Sequence, residues 1–328
     1  MVKNAVPLDA RHVVHLVPVA PLHFDATVHK PDHFPSPDNA WSPGIRWQTM
    51  RWRGVPLGLR LQDVGTVDAP RVDVHVYAAQ DLDATYLAAL SDEIVYRYNL
   101  ALDLAPFYEQ CQGDPQLGPV IDRWRGMRPI SPGSLYEYLI VAIVLQNAVV
   151  RRSIQMMQAL LETYGTLLAF DGQPLYAFWA PQELSGVTED ALRQLKVGYR
   201  AKSILRVTQA FAEGQIDEFT LREAPREVRR AALLDLYGIG PASVGYILFD
   251  VFHQWDELNH ISPWEQRIYS KLFFDRDPAG PLPVEQLLHT LDERFGAWKM
   301  LAVHYLWEDL FWSNARDPIP WLQELIRR

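Results

Sequence analysis

The segment Leu233-Leu234-Asp235-Leu236-Tyr237-Gly238-Ile239-Gly240-Pro241-Ala242-Ser243-Val244-Gly245-Tyr246 constrains this chain more than any other. Apolar residues recur at helical spacing up to Leu236 and again after Pro241. Between them two glycines bracket a single apolar residue, a spacing that fits a tight turn between two helices. Pro241 suits the first turn of a new helix, where a missing N–H costs nothing. Glycine lets the backbone approach a neighbour closely. The N–H groups that open the second helix point outward, an array that holds a phosphate without a cationic side chain. Taken alone, the motif is equally a plain turn between helices.

The surroundings change character near residue 115. Before it, residues 57–64 and 71–77 alternate apolar and polar side chains, with Val72, Val74 and Val76 on one face, and residues 11–19 are rich in Val, His and Leu. Such alternation indicates half-buried strands. Pro18, Pro21, Pro31, Pro35, Pro37, Pro43 and Pro56 punctuate this region, so an antiparallel sheet with long loops is expected, then helices from about Leu82 and Leu104. From about Gln116 the period is helical. Helices are expected over 134–164 with a break at Gln146-Asn147, and over 188–195, 200–213, 225–236, 241–252, 263–272, 284–294 and 298–311. The expected class is α+β: an antiparallel sheet domain with flanking helices over 1–115, then an all-helical domain over 116–328 with the hairpin at 236–243. There is no internal repeat.

The 328 residues contain one cysteine, Cys111, which excludes a disulfide framework, a cysteine-rich zinc site and an iron–sulfur cluster. The longest nearly apolar run, residues 139–145, falls far short of the ~20 needed to span a bilayer. No signal peptide is evident, and an intracellular, monomeric protein is expected. Net charge is −9, from 31 Lys+Arg against 40 Asp+Glu, which argues mildly against a polyanion partner; phosphate binding, however, depends on local charge. The histidines show no metal-binding spacing, and hydrolase, dinucleotide and P-loop fingerprints are absent.

Four further segments accompany the hairpin in order: Leu145-Gln146-Asn147-Ala148-Val149-Val150-Arg151-Arg152-Ser153, Gly198-Tyr199-Arg200-Ala201-Lys202, Ile261-Ser262-Pro263-Trp264-Glu265-Gln266-Arg267-Ile268-Tyr269 and Arg294-Phe295-Gly296-Ala297-Trp298. Together they resemble the helix–hairpin–helix DNA glycosylase superfamily, most closely its 8-oxoguanine and alkylpurine members with an N-terminal sheet domain. The resemblance implies lesion-containing double-stranded DNA as partner. It implies DNA contacts from Gly238, Ile239, Gly240, Ser243, Arg200, the amide pair Gln146 and Asn147 as a wedge, and Arg152 against the widowed base. It also implies a structural cation on the main-chain carbonyls of Leu234, Leu236 and Ile239, with no other cofactor required. Arg226, Arg229, Arg230 and Lys202 are expected to add a basic rim, and Trp264, Trp298, Tyr305 and Trp307 to lie near a base pocket.

Two positions depart from the superfamily pattern. Where bifunctional members carry a nucleophilic lysine this chain has Ala242, which cannot form a Schiff base. Where the aspartate is expected it has Ser262. Ser262-Pro263-Trp264-Glu265 fits a capping box, so Glu265 reads either as a helix cap or as a displaced catalytic acid. Asp256 and Glu257 are weaker acid candidates. Two functional readings stay open: a monofunctional glycosylase acting on alkylated or oxidised bases, and a catalytically inactive DNA-damage or DNA-structure binder on the same fold. Alkylpurines need less help to leave, because the base is already cationic and favours an aromatic pocket.

Overall fold

The computed structural model describes residues 4–33 and 35–326; the outermost residues of the two expected domains, 1–3 and 327–328, lie outside them. Its strands are β1 (Val6–Pro7), β2 (Ala10–Leu16), β3 (Asn39–Ser42), β4 (Ile45–Trp52), β5 (Val55–Asp63), β6 (Val72–Ala78), β7 (Thr166–Phe170) and β8 (Gln173–Ala177). Five of them form an antiparallel sheet in the order β2-β6-β5-β4-β3. Its inner face, with Leu57, Leu59, Leu61, Val72, Val74 and Val76, is closed by Leu90 and Ile94 of the Ala84–Arg97 helix.

Strands β3 and β4 lie where the prolines suggested long loops. The buried positions of β4 are Arg46, Gln48, Met50 and Trp52, so half of its inward face is polar and the alternation of hydrophobicity is masked. Arg46 is satisfied there by Gln48 Oε1 (2.9 Å) and the Val28 carbonyl (2.5 Å).

The second half of the chain is not all helical. Asp171 and Gly172, both at positive φ (47° and 75°), turn β7 into β8, an Asp-Gly pairing suited to a two-residue hairpin. Its strand β7 pairs in parallel with β1, with Val6 opposite Leu168. It also covers the outer face of the sheet: Asp171 accepts from Trp47 Nε1 (2.7 Å) and Tyr77 OH (2.9 Å). Gly58 lies under the Phe170 ring, where a Cβ would come within 2.4 Å.

The helices enclose two cores. One gathers apolar residues between Leu135 and Phe252. The other packs Leu104, Phe107, Cys111, Leu117 and Ile121 with residues from Phe249 to Leu325, so packing runs across residue 115. The Pro241–Asp250 helix is the shared wall: Val244, Ile247 and Leu248 face the first core and Phe249 the second.

Candidate nucleic-acid interface

The hairpin joins the Arg226–Leu234 and Pro241–Asp250 helices. Leu233, Leu236 and Ile239 are buried in the first helical core, which leaves the backbone between them at the surface. Gly238 sits at φ +84° against Ser203, whose Oγ would lie 2.4 Å from an added Cβ, so only glycine fits. Gly240 caps the second helix in extended conformation and has open space where a Cβ would point. No side chain caps this helix, so the first-turn N–H groups of Ala242 and Ser243 have no partner within it. The Leu236 carbonyl, one of three expected to hold a cation, already accepts from Ile239 N (3.1 Å).

The Leu135–Leu145 and Val150–Tyr164 helices meet in a turn that is fastened to this hairpin. Gln146 Nε2 donates to the Gly238 carbonyl (2.8 Å). Asn147, at φ +49°, donates from Nδ2 to Tyr199 OH (3.2 Å). Arg200 is buried, donates to the Gln146 carbonyl and stacks on Tyr199. Arg152 donates to the Lys196 carbonyl. The structure therefore gathers Gln146, Asn147, Arg200 and Gly238 into one hydrogen-bonded unit. In it the amides and Arg200 hold the turn, and two apolar side chains protrude beside the exposed Asn147: Leu145 is 42% exposed and Val149 58%.

Ser262 is the N-cap of the Pro263–Phe274 helix. Its Oγ accepts from Glu265 N (3.3 Å), and Glu265 Oε2 accepts from Ser262 N (2.8 Å), the reciprocal capping box. Burial pushes the Glu265 carboxyl up to about 7. Glu137 forms the same box with Ser134 on the Leu135–Leu145 helix, and burial raises it to about 7 as well. A buried cap thus accounts for the shift without any catalytic role. Trp264 is half-exposed, donates to the Leu325 carbonyl (3.3 Å) and packs edge-on against Trp307 (5.3 Å). Trp298 packs on Phe107. Tyr305 is fully buried, with its hydroxyl on the Met127 carbonyl (2.6 Å), and serves as a core residue.

The 3-methyladenine DNA-glycosylase of Archaeoglobus fulgidus superposes with a TM-score of 0.74 over 93% of this chain and 99% of its own, at 15% identity. The Clostridium acetobutylicum 8-oxoguanine glycosylase/lyase, solved with double-stranded DNA containing cytosine opposite 8-oxoG, gives 0.67 over 94% and 99%, at 16% identity. The chain has the helix–hairpin–helix DNA glycosylase fold. In sequence, a probable N-glycosylase/DNA lyase of Methanothermobacter thermautotrophicus is 26% identical over 202 residues, 56% of this chain. The chain spans 64% of that relative's length. No protein-family model matches the chain.

Within this glycosylase fold the expected basic rim is largely neutralised. Arg226 pairs with Asp256 (2.7 Å) and Glu257 (2.5 Å), Arg230 pairs with Glu257, and Arg229 donates to the Arg222 carbonyl (2.8 Å). Burial pushes the Glu257 carboxyl up, but hydrogen bonds from Arg230, Arg226 and Asn259 outweigh it and leave it below the ordinary range. Asp256 and Glu257 are thus arginine partners that tie the loop after the hairpin to its first helix. Lys202 lies over the Tyr237 ring (4.9 Å).

A buried polar group that the sequence did not disclose joins Lys30, Asp32, Tyr138, Asp250, His304 and Glu308. Tyr138 OH donates to Asp250, whose carboxyl burial raises to about 7. The only sequence signal was His304 and Glu308, four apart in a largely apolar helical stretch. Among the described residues no cluster of His, Cys, Asp and Glu could hold a metal, and no helix is long and apolar enough to cross a membrane.

Proposed function

We propose that the protein is a monofunctional DNA glycosylase of base excision repair, which acts as a monomer, extrudes one damaged base from duplex DNA and hydrolyses its N-glycosidic bond. The observation that carries this reading is the fastening of the 145–150 turn to the hairpin through Gln146 and Gly238. It sets the uncapped N-terminus of the Pro241–Asp250 helix beside a protruding apolar turn. Main-chain contacts at Gly238–Ser243 anchor a phosphate. A cation on the carbonyls of Leu234, Leu236 and Ile239 would offset phosphate repulsion. Leu145 and Val149 fill the gap left by the extruded nucleotide, as apolar wedges do. Unstacking and bending cost on the order of a few kcal/mol, which these contacts offset.

Ala242 offers no amine, so water is the nucleophile. Its oxygen bonds to the sugar C1′, the bond from C1′ to the base nitrogen breaks with its electron pair leaving on the base, and a proton passes to solvent. A cationic alkylpurine departs as a neutral base and needs no protonation. That favours alkylated over neutral oxidised bases at a site with Ser262 in place of a carboxylate. Trp264 and Trp298 supply the aromatic walls.

Ala242 and Ser262 also favour a second reading, a damage binder without catalysis. Single-turnover base release from duplexes carrying a lesion panel separates the two. Release with strand breakage only after alkali, and no borohydride-trapped complex, is the expected result. A trapped complex would show that another amine attacks, and tight lesion binding without release would establish the binder.

A further inference from the structure

The Lys30-Pro31-Asp32 segment leaves the short Phe24–Val28 helix and runs against the Lys299–Arg316 helix. Lys30 is buried, and its ammonium is held by the carbonyls of Ala26 (2.8 Å) and Arg128 (3.3 Å) and by His304 Nε2 (3.3 Å). Glu308 Oε1 lies 3.9 Å away. Glu308, 1% exposed, has no hydrogen-bond partner for Oε2 among the described residues. Asp32 Oδ2 accepts from Trp307 Nε1 (2.8 Å); its buried Oδ1 has no hydrogen bond among the described residues and lies 3.8 Å from His33 Nε2. Two elements thus bring together two acids that each keep one carboxylate oxygen without a hydrogen bond, an arrangement that a donor from outside the chain would relieve.

The two acids differ in reach. The side chain of Glu308 is 2% exposed, that of Asp32 18%. Asp32 also connects to the Ser262 helix terminus through an indole pair: Trp307 holds its Oδ2 and packs edge-on against half-exposed Trp264, two residues after Ser262. An ionised carboxylate only accepts hydrogen bonds. Its ligand must present N–H groups and, beside Trp264 and Trp307, be flat or cationic.

We propose that Asp32 is the specificity-determining residue of this glycosylase, accepting a hydrogen bond from the exocyclic amino group of an extruded purine, with Lys30 and Glu308 fixing the segment behind it. The inference rests on the glycosylase reading above. A base with a carbonyl or hydrogen in place of the amino group leaves the buried Oδ1 unpaired, a penalty that gives strong discrimination.

The test uses the full chain and two duplexes, one with 7-methylguanine and one with 7-methylhypoxanthine, which differ only in the 2-amino group. Wild type should favour 7-methylguanine by about 10- to 100-fold, the size of a hydrogen bond to a charged group. Asp32→Asn should erase most of that ratio while affinity for an abasic-site duplex, which has no base to read, stays within about twofold. Trp307→Phe, which removes the donor that orients Asp32, should erode the ratio less. A ratio unchanged in Asp32→Asn, or equal losses on both duplexes, would overturn the assignment. If wild type releases neither base, the glycosylase reading falls, and the same ratio measured by duplex affinity still judges Asp32.

Discussion

Glu265 is where chemistry and architecture compete for one side chain. Glutamine serves equally at the third position of a capping box but carries no charge. Glu265→Gln should therefore leave single-turnover base release within about threefold of wild type. A loss of about 10²-fold, the size typical of a lost acid, base or electrostatic role, would instead make Glu265 catalytic. Glu137→Gln, in the same box on a helix away from Ser262, is the matching control. The cap itself was legible in sequence, because Ser-x-x-Glu is a local pattern. So were Ala242 and Ser262, which needed only the hairpin as a ruler. Asp32 was not: its significance arises from Trp307 and Glu308, about 275 residues away, a separation over which no periodicity speaks.

At the level of elements, the hairpin makes a prediction that its two glycines separate. A side chain at Gly238 would strain the backbone and strike Ser203, so that substitution tests folding. Gly240 has an ordinary φ of −105° and free space, so Gly240→Val should fold and still weaken DNA binding, with or without a lesion, by obstructing the phosphate. Electrophoretic or anisotropy titration of intact and lesion duplexes checks this; unchanged affinity in a variant of normal melting temperature would remove the hairpin from the interface. The helices around it were readable because each has a strong period and a marked start or stop, as at Ser134, Pro241 and Gly165. The strands β4, β7 and β8 were not. In β4, inward Arg46 and Gln48 broke the alternation, and β7–β8 lies among helical segments, announced only by Asp171-Gly172.

For the whole molecule, acid titration should show an unusual trend. Burial raises the carboxyls of Glu137, Asp250 and Glu265 to about 7, against about 4 in an unfolded chain. Between these values the folded protein holds protons that the unfolded chain has released. The stability these groups confer is therefore complete at low pH and is lost as pH rises through about 7. A Glu137→Gln/Glu265→Gln double variant should melt close to wild type near pH 4.5 and above it by pH 8, the gap opening as pH rises from about 4 to about 7. A difference that does not change with pH, by scanning fluorimetry or calorimetry, would contradict the burial argument. The β7–β8 hairpin has a consequence in time as well as space. Trp47, Gly58 and Tyr77 are synthesised well before the Phe170 and Asp171 that cover them. On the ribosome the outer face of the sheet must therefore wait, bare, through about ninety residues of translation. A nascent chain stalled before residue 166 is the form of this protein most exposed to chaperones and to its own neighbours.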